Sequence, residues 1–254
     1  MMRERLLPRL LGLLGIAAVL GAWELAGRMG SLNPVLMPRP SLVAQTLWQI
    51  LASGEFLGPL GHTLLLFAVG YGLACLIGIT LGLLMGASPA IYGLLEPLVE
   101  LIRPLPKSAL VPALFLFLGI GSTTMVTVVV LAAIFPVLIN TLQGVRGIDP
   151  VLLDTARTFQ CSRLRTLLSV VLPAAMPMIL AGMRVGLGLG LVLVILAEML
   201  AGESGLGYLI LDLQRSFQIR EMYAWIAILA AVGGSLALLF DWTDKRLVPW
   251  RGRA

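Results

Sequence analysis

Five stretches of this chain stay apolar for the length of a bilayer crossing: Leu10–Ala26, Thr63–Gly86, Met125–Leu142, Met176–Leu200 and Met222–Phe240. Roughly 20 residues of helix span the ~30 Å of hydrocarbon, and in that medium only structures that satisfy their own backbone polar groups survive. The chain is therefore read as an all-α membrane protein. A sixth run, Leu94–Gly119, is long enough but holds Glu96, Glu100, Arg103 and Lys107, so it is expected to start at the interface and then cross. Pro97, Pro104, Pro106 and Pro112 predict that this helix is kinked, because proline removes a backbone donor and crowds the preceding turn. With 59% hydrophobic and only 12% charged residues, against about 25% charged in soluble domains, the composition agrees. The six runs describe one transmembrane domain over residues 1–254, with a polar connection at 143–175 between the fourth and fifth.

Charge sets the expected orientation. With the N-terminus in the cytosol, the inner segments carry Arg3, Arg5, Arg9, Arg146, Arg157, Arg163, Arg165, Lys245, Arg246, Arg251 and Arg253. The outer segments carry Arg28, Arg39, Arg215 and Arg220. That excess places both termini and the 143–175 connection inside. The net charge of +5 thus follows topology, and no concentrated basic tract points to nucleic acid. A secretory signal is the alternative for the first run, since Met1–Arg9 is basic and Gly12–Gly21 apolar. The apolar stretch, however, outruns the roughly 7–15 residues of a signal core, so a first span is preferred. Cys75, inside a span, and Cys161, in the connection, are read as free thiols.

Small residues indicate how the spans pack. Gly70, Ala74, Gly78, Gly82 and Gly86 recur every four residues, as do Gly182, Gly186 and Gly190, each set forming a stripe on one helix face. Such a stripe serves close packing inside one bundle or lines a moving or dimeric interface.

The connection has its own structure. Asp149 is suited to cap a helix with Pro150 in its first position and Val151, Leu152, Ala156 and Phe159 as its less polar side chains. Ser162 is placed to cap a second helix, Arg163 to Val171, which Leu172-Pro173 is expected to end. The result is a helical hairpin under the membrane.

Within that hairpin, Asp154-Thr155-Ala156, Gln160 and Val170-x-Leu172-Pro173 fall in the register of the cytoplasmic signature of type I ATP-binding-cassette permeases. That pattern reads Glu-Ala-Ala, then a Gly, then Ile-x-Leu-Pro. Ala156, Leu172 and Pro173 agree in identity, whereas Asp154, Thr155 and Gln160 depart from it. Met85-Gly86-Ala87-Ser88, Leu101-Ile102-Arg103-Pro104-Leu105-Pro106, Asn140-Thr141, Ala156-Arg157-Thr158, Leu172-Pro173-Ala174-Ala175-Met176-Pro177, Ala197-Glu198-Met199 and Ser204-Gly205-Leu206-Gly207 extend the likeness over nearly the whole chain. The chain resembles the nitrate, sulfonate, taurine and bicarbonate importer subfamily.

The resemblance implies a six-span permease subunit that pairs with a second copy, as a homodimer, in the inner membrane of a prokaryote. ATPase subunits would dock on the cytosolic hairpin, and an extracytoplasmic binding protein would deliver solute. It assigns ATPase coupling to Asp154, Thr155, Ala156, Arg157, Phe159, Gln160, Leu172 and Pro173, with the helix Val151–Cys161 as the coupling helix. The chain has no Gly-x-x-x-x-Gly-Lys-Ser/Thr loop to cradle ATP phosphates, so it is not expected to be an enzyme or to need a cofactor. A glycine at the place of Gln160 would end the coupling helix at positive φ. Here either Gln160 bears a strain of about 1 kcal/mol or the helix runs on by one turn.

Charges within the spans are the candidates for a solute path: Arg103 with its neighbour Pro104, and Glu198 near the outer end of the fifth run. Arg184 is expected to snorkel to the cytosolic interface, and His62 to be interfacial. Arg103, Lys107 and Arg184 favour an anionic solute. An ion-coupled secondary carrier is the rival reading, but it calls for mid-membrane acid or histidine pairs and two matching halves, which the sequence does not display. A non-transporting scaffold would leave the hairpin without a client.

Overall fold

Proline and capping side chains divide the apolar runs into eleven helices, as a computed structural model of residues 2–249 shows. Arg251 and Arg253 lie outside the described residues, as do the side chains of Arg3, Arg5 and Arg9. The helices are α1 (Met2–Arg28), α2 (Pro40–Ser53), α3 (Leu57–Ala87), α4 (Pro89–Ile102), α5 (Lys107–Leu118), α6 (Ser122–Arg146), α7 (Pro150–Thr158), α8 (Arg163–Thr166), α9 (Leu172–Ala201), α10 (Leu206–Arg215) and α11 (Ile219–Leu247). Four stretches are long and apolar enough to cross a membrane: α3, α6, the run Arg163–Ala201 and α11. The pair α4 and α5 makes a fifth if counted as one broken span. The expected first span lies within α1.

Two sequence expectations are corrected. The Leu94–Gly119 run is two helices that meet at 96° rather than one kinked span. Pro104 and Pro106 remove two ladder donors within three residues, so although Arg103 keeps helical geometry the chain leaves the helix after it and restarts at Lys107. Conversely, Leu172-Pro173 does not end the second hairpin helix. A π-turn at Leu167–Val171 widens the ladder so that the Leu172 N–H donates to Leu167 O, and the chain passes through Pro173 into α9 without a break. Helices α2 and α10 were not anticipated.

Contacts divide the chain into two units. The smaller joins the chain up to Pro59 with Leu209–Ala231. In it the Trp23 and Tyr223 rings lie 5.7 Å apart, and Glu24 accepts from the Ser41 N–H at 3.1 Å and from Arg28 Nε at 2.7 Å.

The larger unit, Leu60–Tyr208 with the chain from Val232, is built around α6. The glycine stripes of α3 and α9 both face that helix. A Cβ on Gly70, Gly82 or Gly86 would strike Val129, Thr141 or Val145, and one on Gly182 would strike Pro136 O and Asn140. The stripes therefore serve packing within one chain, which lets backbones approach closely where lipid supplies no hydrophobic drive. Leu66, Phe67, Val111, Met125, Val128, Val129, Val194 and Ala197 form the core that results.

Candidate functional site

The hairpin between α6 and α9 forms from its own capping residues. Asp149 Oδ1 accepts from the Val151 N–H at 2.9 Å with Pro150 in the first turn, and Ser162 Oγ accepts from the Arg165 N–H at 3.3 Å. Along α7, Thr155 Oγ1 donates to Val151 O at 2.7 Å, and Arg157 Nη1 donates to Asp154 Oδ1 at 2.8 Å. That ion pair is open to solvent on both sides, so it contributes only a few tenths of a kcal/mol and leaves both charges available to a partner.

Gln160 settles the alternative left by the sequence. It adopts φ +51°, the Cys161 N–H donates to Ala156 O at 3.0 Å, and α7 stops at Thr158. The turn is the left-handed helix terminator that glycine normally occupies, and here a glutamine bears its strain. Ala156 is buried, whereas Phe159 is 77% exposed. Phe159 edges a 420 Å³ depression lined also by Leu152, Thr155, Ala156, Cys161, Arg165 and Val170. An exposed phenyl ring beside a depression, at the end of a short capped helix, is an apolar surface of the kind that partner grooves bury. Leu172 and Pro173 sit at the root of α9, above the hairpin.

A second concavity lies where α4 and α5 break. It holds 360 Å³ and is lined by Arg103, Leu105, Lys107, Ala132, Phe135, Pro136, Ile139, Asn140, Val185 and Leu189. Its wall is apolar except for the two cations and one amide. Arg103 is half exposed and makes a 3.4 Å contact with Glu100 one turn back, while Asn140 Nδ2 donates to Pro136 O at 2.9 Å. Pro104 shapes the break without lining the concavity.

Glu198 is elsewhere, fully buried. Thr63 Oγ1 donates to its two oxygens at 2.8 and 3.0 Å, the Gly207 N–H donates to Oε2 at 2.9 Å, and the Leu206 N–H donates back to Thr63 Oγ1 at 2.9 Å. The carboxylate therefore caps the first turn of α10 and clasps it to α3 and α9. Gly205, at φ +104°, is required there, since any Cβ would collide with the carboxylate. His62 Nδ1 stands 3.7 Å from Glu198 Oε1. Arg184 pairs with Asp241 near the C-terminal end of α11, just past the Met222–Phe240 run, and both side chains are half exposed, so its charge is directed towards that end of the helix. Sequence reasoning missed the Thr63, Gly205 and Gly207 partners of Glu198; the glycine pair following Glu198 was the signal available.

Bilayer-length helices, with a broken helix pair beside a mostly apolar concavity that holds two cations, define a multi-span membrane protein. Residues 78–253 match the family described as the binding-protein-dependent transport system inner membrane component, and the chain belongs to that family. It is 32% identical over 240 residues to the Bacillus subtilis (strain 168) protein SsuC, named for aliphatic sulfonates transport, covering 94% of this chain and 87% of that one. It is likewise 32% identical over 242 residues to the taurine transport system permease protein TauC of Escherichia coli (strain K12), covering 93% and 88%. In fold it is similar to a chain of the inward-facing MetNI methionine ABC transporter, with a TM-score of 0.60 at 17% identity over 84% of this chain and 97% of that one. A chain of an amino acid ABC transporter crystallised with histidines matches at 0.61 and 20% identity, over 82% and 98%.

The protein is thus the permease component of an ABC importer, embedded in a membrane and moving solute inward. It is not itself an enzyme. ATP is hydrolysed by a separate subunit, and the family implies an ATPase and a solute-binding protein as partners. The ion-coupled carrier weighed on the sequence belongs to a different class.

Proposed function

We propose that this permease carries a small anion of the sulfonate type through the concavity at the α4–α5 break, and that Arg103 is the residue that meets it. The observation that carries this reading is the guanidinium of Arg103. It has five N–H donors and, among the described residues, one long contact to a neighbouring carboxylate, and it stands over an otherwise apolar wall. A sulfonate, nitrate or bicarbonate offers the planar or trigonal oxygens that such a fork binds in pairs. The sulfonate and taurine relatives favour the first of these.

The subunit works as a homodimer in the inner membrane of a prokaryote, with six spans and both termini cytoplasmic. Two ATPases seat on the hairpins through Phe159, with Asp154, Arg157 and Thr155 setting register around it, Ala156 and Gln160 shaping the helix end, and Leu172 and Pro173 joining the hairpin to α9. Glu198 acts on the path at one remove, by tying the Leu206–Gly207 turn to Thr63 of α3. The assay is uptake by the complete complex in vesicles, with nitrate, bicarbonate, taurine and methanesulfonate compared. We expect methanesulfonate or taurine to be accumulated, and Arg103→Gln to lower that uptake at least tenfold. Uptake of the accumulated solute unchanged in Arg103→Gln would remove Arg103 from the path.

A further inference from the structure

The two cations of the concavity are not equivalent. The Lys107 ammonium donates to Ile102 O at 2.6 Å, Leu105 O at 3.0 Å and Arg103 O at 3.2 Å, which uses all three of its N–H bonds. It also lies 4.6 Å from the centroid of the Phe135 ring on α6. Had α4 run on as a helix, Ile102 O would have been served by the amide of residue 106 and Arg103 O by that of residue 107. Residue 106 is a proline, and the chain turns before either bond can form. Ile102 O accepts instead from the Leu105 N–H at 3.2 Å, and the ammonium reaches back over the break to donate to both carbonyls.

The polarity of the helices supports this assignment. Lys107 is the first residue of α5, where the positive end of the helix dipole disfavours a cation, whereas the end of α4 favours one. The side chain is found against the carbonyls of α4. With its donors engaged there, it has none to offer a solute, and Arg103 retains most of its own.

We propose that Lys107 is a positioning residue of the solute path: its ammonium stands in for the amide hydrogens lost at the proline break, holds α4 and α5 at 96° and so keeps the concavity open in front of Arg103. The proposal rests on the reading of that concavity as the path. It separates two roles that charge alone would merge, since a lysine that read the solute directly would need free donors.

The test is the distance between spin labels at Leu98→Cys on α4 and Leu116→Cys on α5, both exposed positions. They are introduced into a Cys75→Ala, Cys161→Ser background, with labelled permease diluted into excess unlabelled copies of the assembled complex. We expect a narrow distribution with Lys107 present. Lys107→Met should broaden it or shift it by several Å, and Arg103→Gln should leave it as it was. If Lys107→Met fails to assemble, Lys107→Arg is measured instead. Its flat fork cannot converge on three carbonyls, so partial broadening is expected. An unchanged distribution in the lysine variant measured, or equal broadening in Arg103→Gln, would overturn the proposal. The distance does not depend on which solute is carried, so these outcomes are distinct from failure of the uptake assay, which would refute the path and not the cap.

Discussion

Removing the hydroxyl of Thr63 while keeping its shape, as Thr63→Val does, tests whether Glu198 holds the bundle together. Thr63 Oγ1 makes two kinds of bond in one buried place: it donates to Glu198 and accepts from the Leu206 N–H. Valine supplies neither, and no water reaches a carboxylate that is fully buried. A hydrogen bond to a charged group contributes about 1.5–3 kcal/mol, and a stranded amide costs about 1–3 kcal/mol. Side-chain bonds within membranes average nearer 0.6 kcal/mol, so a loss of about 2–4 kcal/mol is expected. In a chain of this size that corresponds to a fall of roughly 5–15 °C in unfolding midpoint. Thermal unfolding of the detergent-solubilised complex reads it, and Thr63→Ser, which keeps the hydroxyl, should lie within about 1 kcal/mol of the wild type. Equal midpoints for Thr63→Val and wild type would show that the clasp carries no stability.

Three further outcomes follow from the same geometry. Gln160→Gly should raise hairpin stability by up to about 1 kcal/mol, since it relieves a side chain at φ +51°, with uptake retained; hydrogen exchange across 150–166 reads it. Arg184→Gln should leave the half-exposed Asp241 without its partner at a cost of no more than about 1 kcal/mol, and the exchange Arg184→Asp with Asp241→Arg should recover most of the loss, as judged by unfolding midpoints of the four-variant cycle. Single cysteines at Ser31 and Ser204 should react with an impermeant thiol reagent added to intact cells and one at Ser162 should not; labelling at Ser162 would invert the orientation.

Local signals carried over well into the structure, and long-range ones did not. Asp149, Pro150 and Ser162 act within three residues of themselves, so the hairpin was legible in sequence. The glycine stripes were also legible, though which helix they face was not, because the Val129, Thr141 and Val145 contacts belong to another span. Pro104 and Pro106 announced an interruption but not its 96° angle, which depends on where the Lys107 ammonium finds its carbonyls. The expected stop at Pro173 failed because a π-turn, invisible to composition, accommodates the ring. Glu198 was noticed for its charge and assigned to the path. Its partner Thr63 lies 135 residues away, a pairing that no spacing rule contains.

The central claim is that this permease receives ATPase motion through the hairpin, and Phe159→Ala addresses it most directly. The ring is 77% exposed, and as a buried anchor in a partner's pocket would contribute 2 kcal/mol or more to the interface. Co-purification of the ATPase and solute-stimulated ATP turnover are measured together on membranes containing equal amounts of permease. We expect ATPase retention to fall at least 30-fold in affinity and stimulated turnover to be lost, with membrane insertion and unfolding midpoint unchanged. Full retention of ATPase and of stimulated turnover in Phe159→Ala, and again in Asp154→Lys and Arg157→Glu, would contradict the assignment of the hairpin as the docking site.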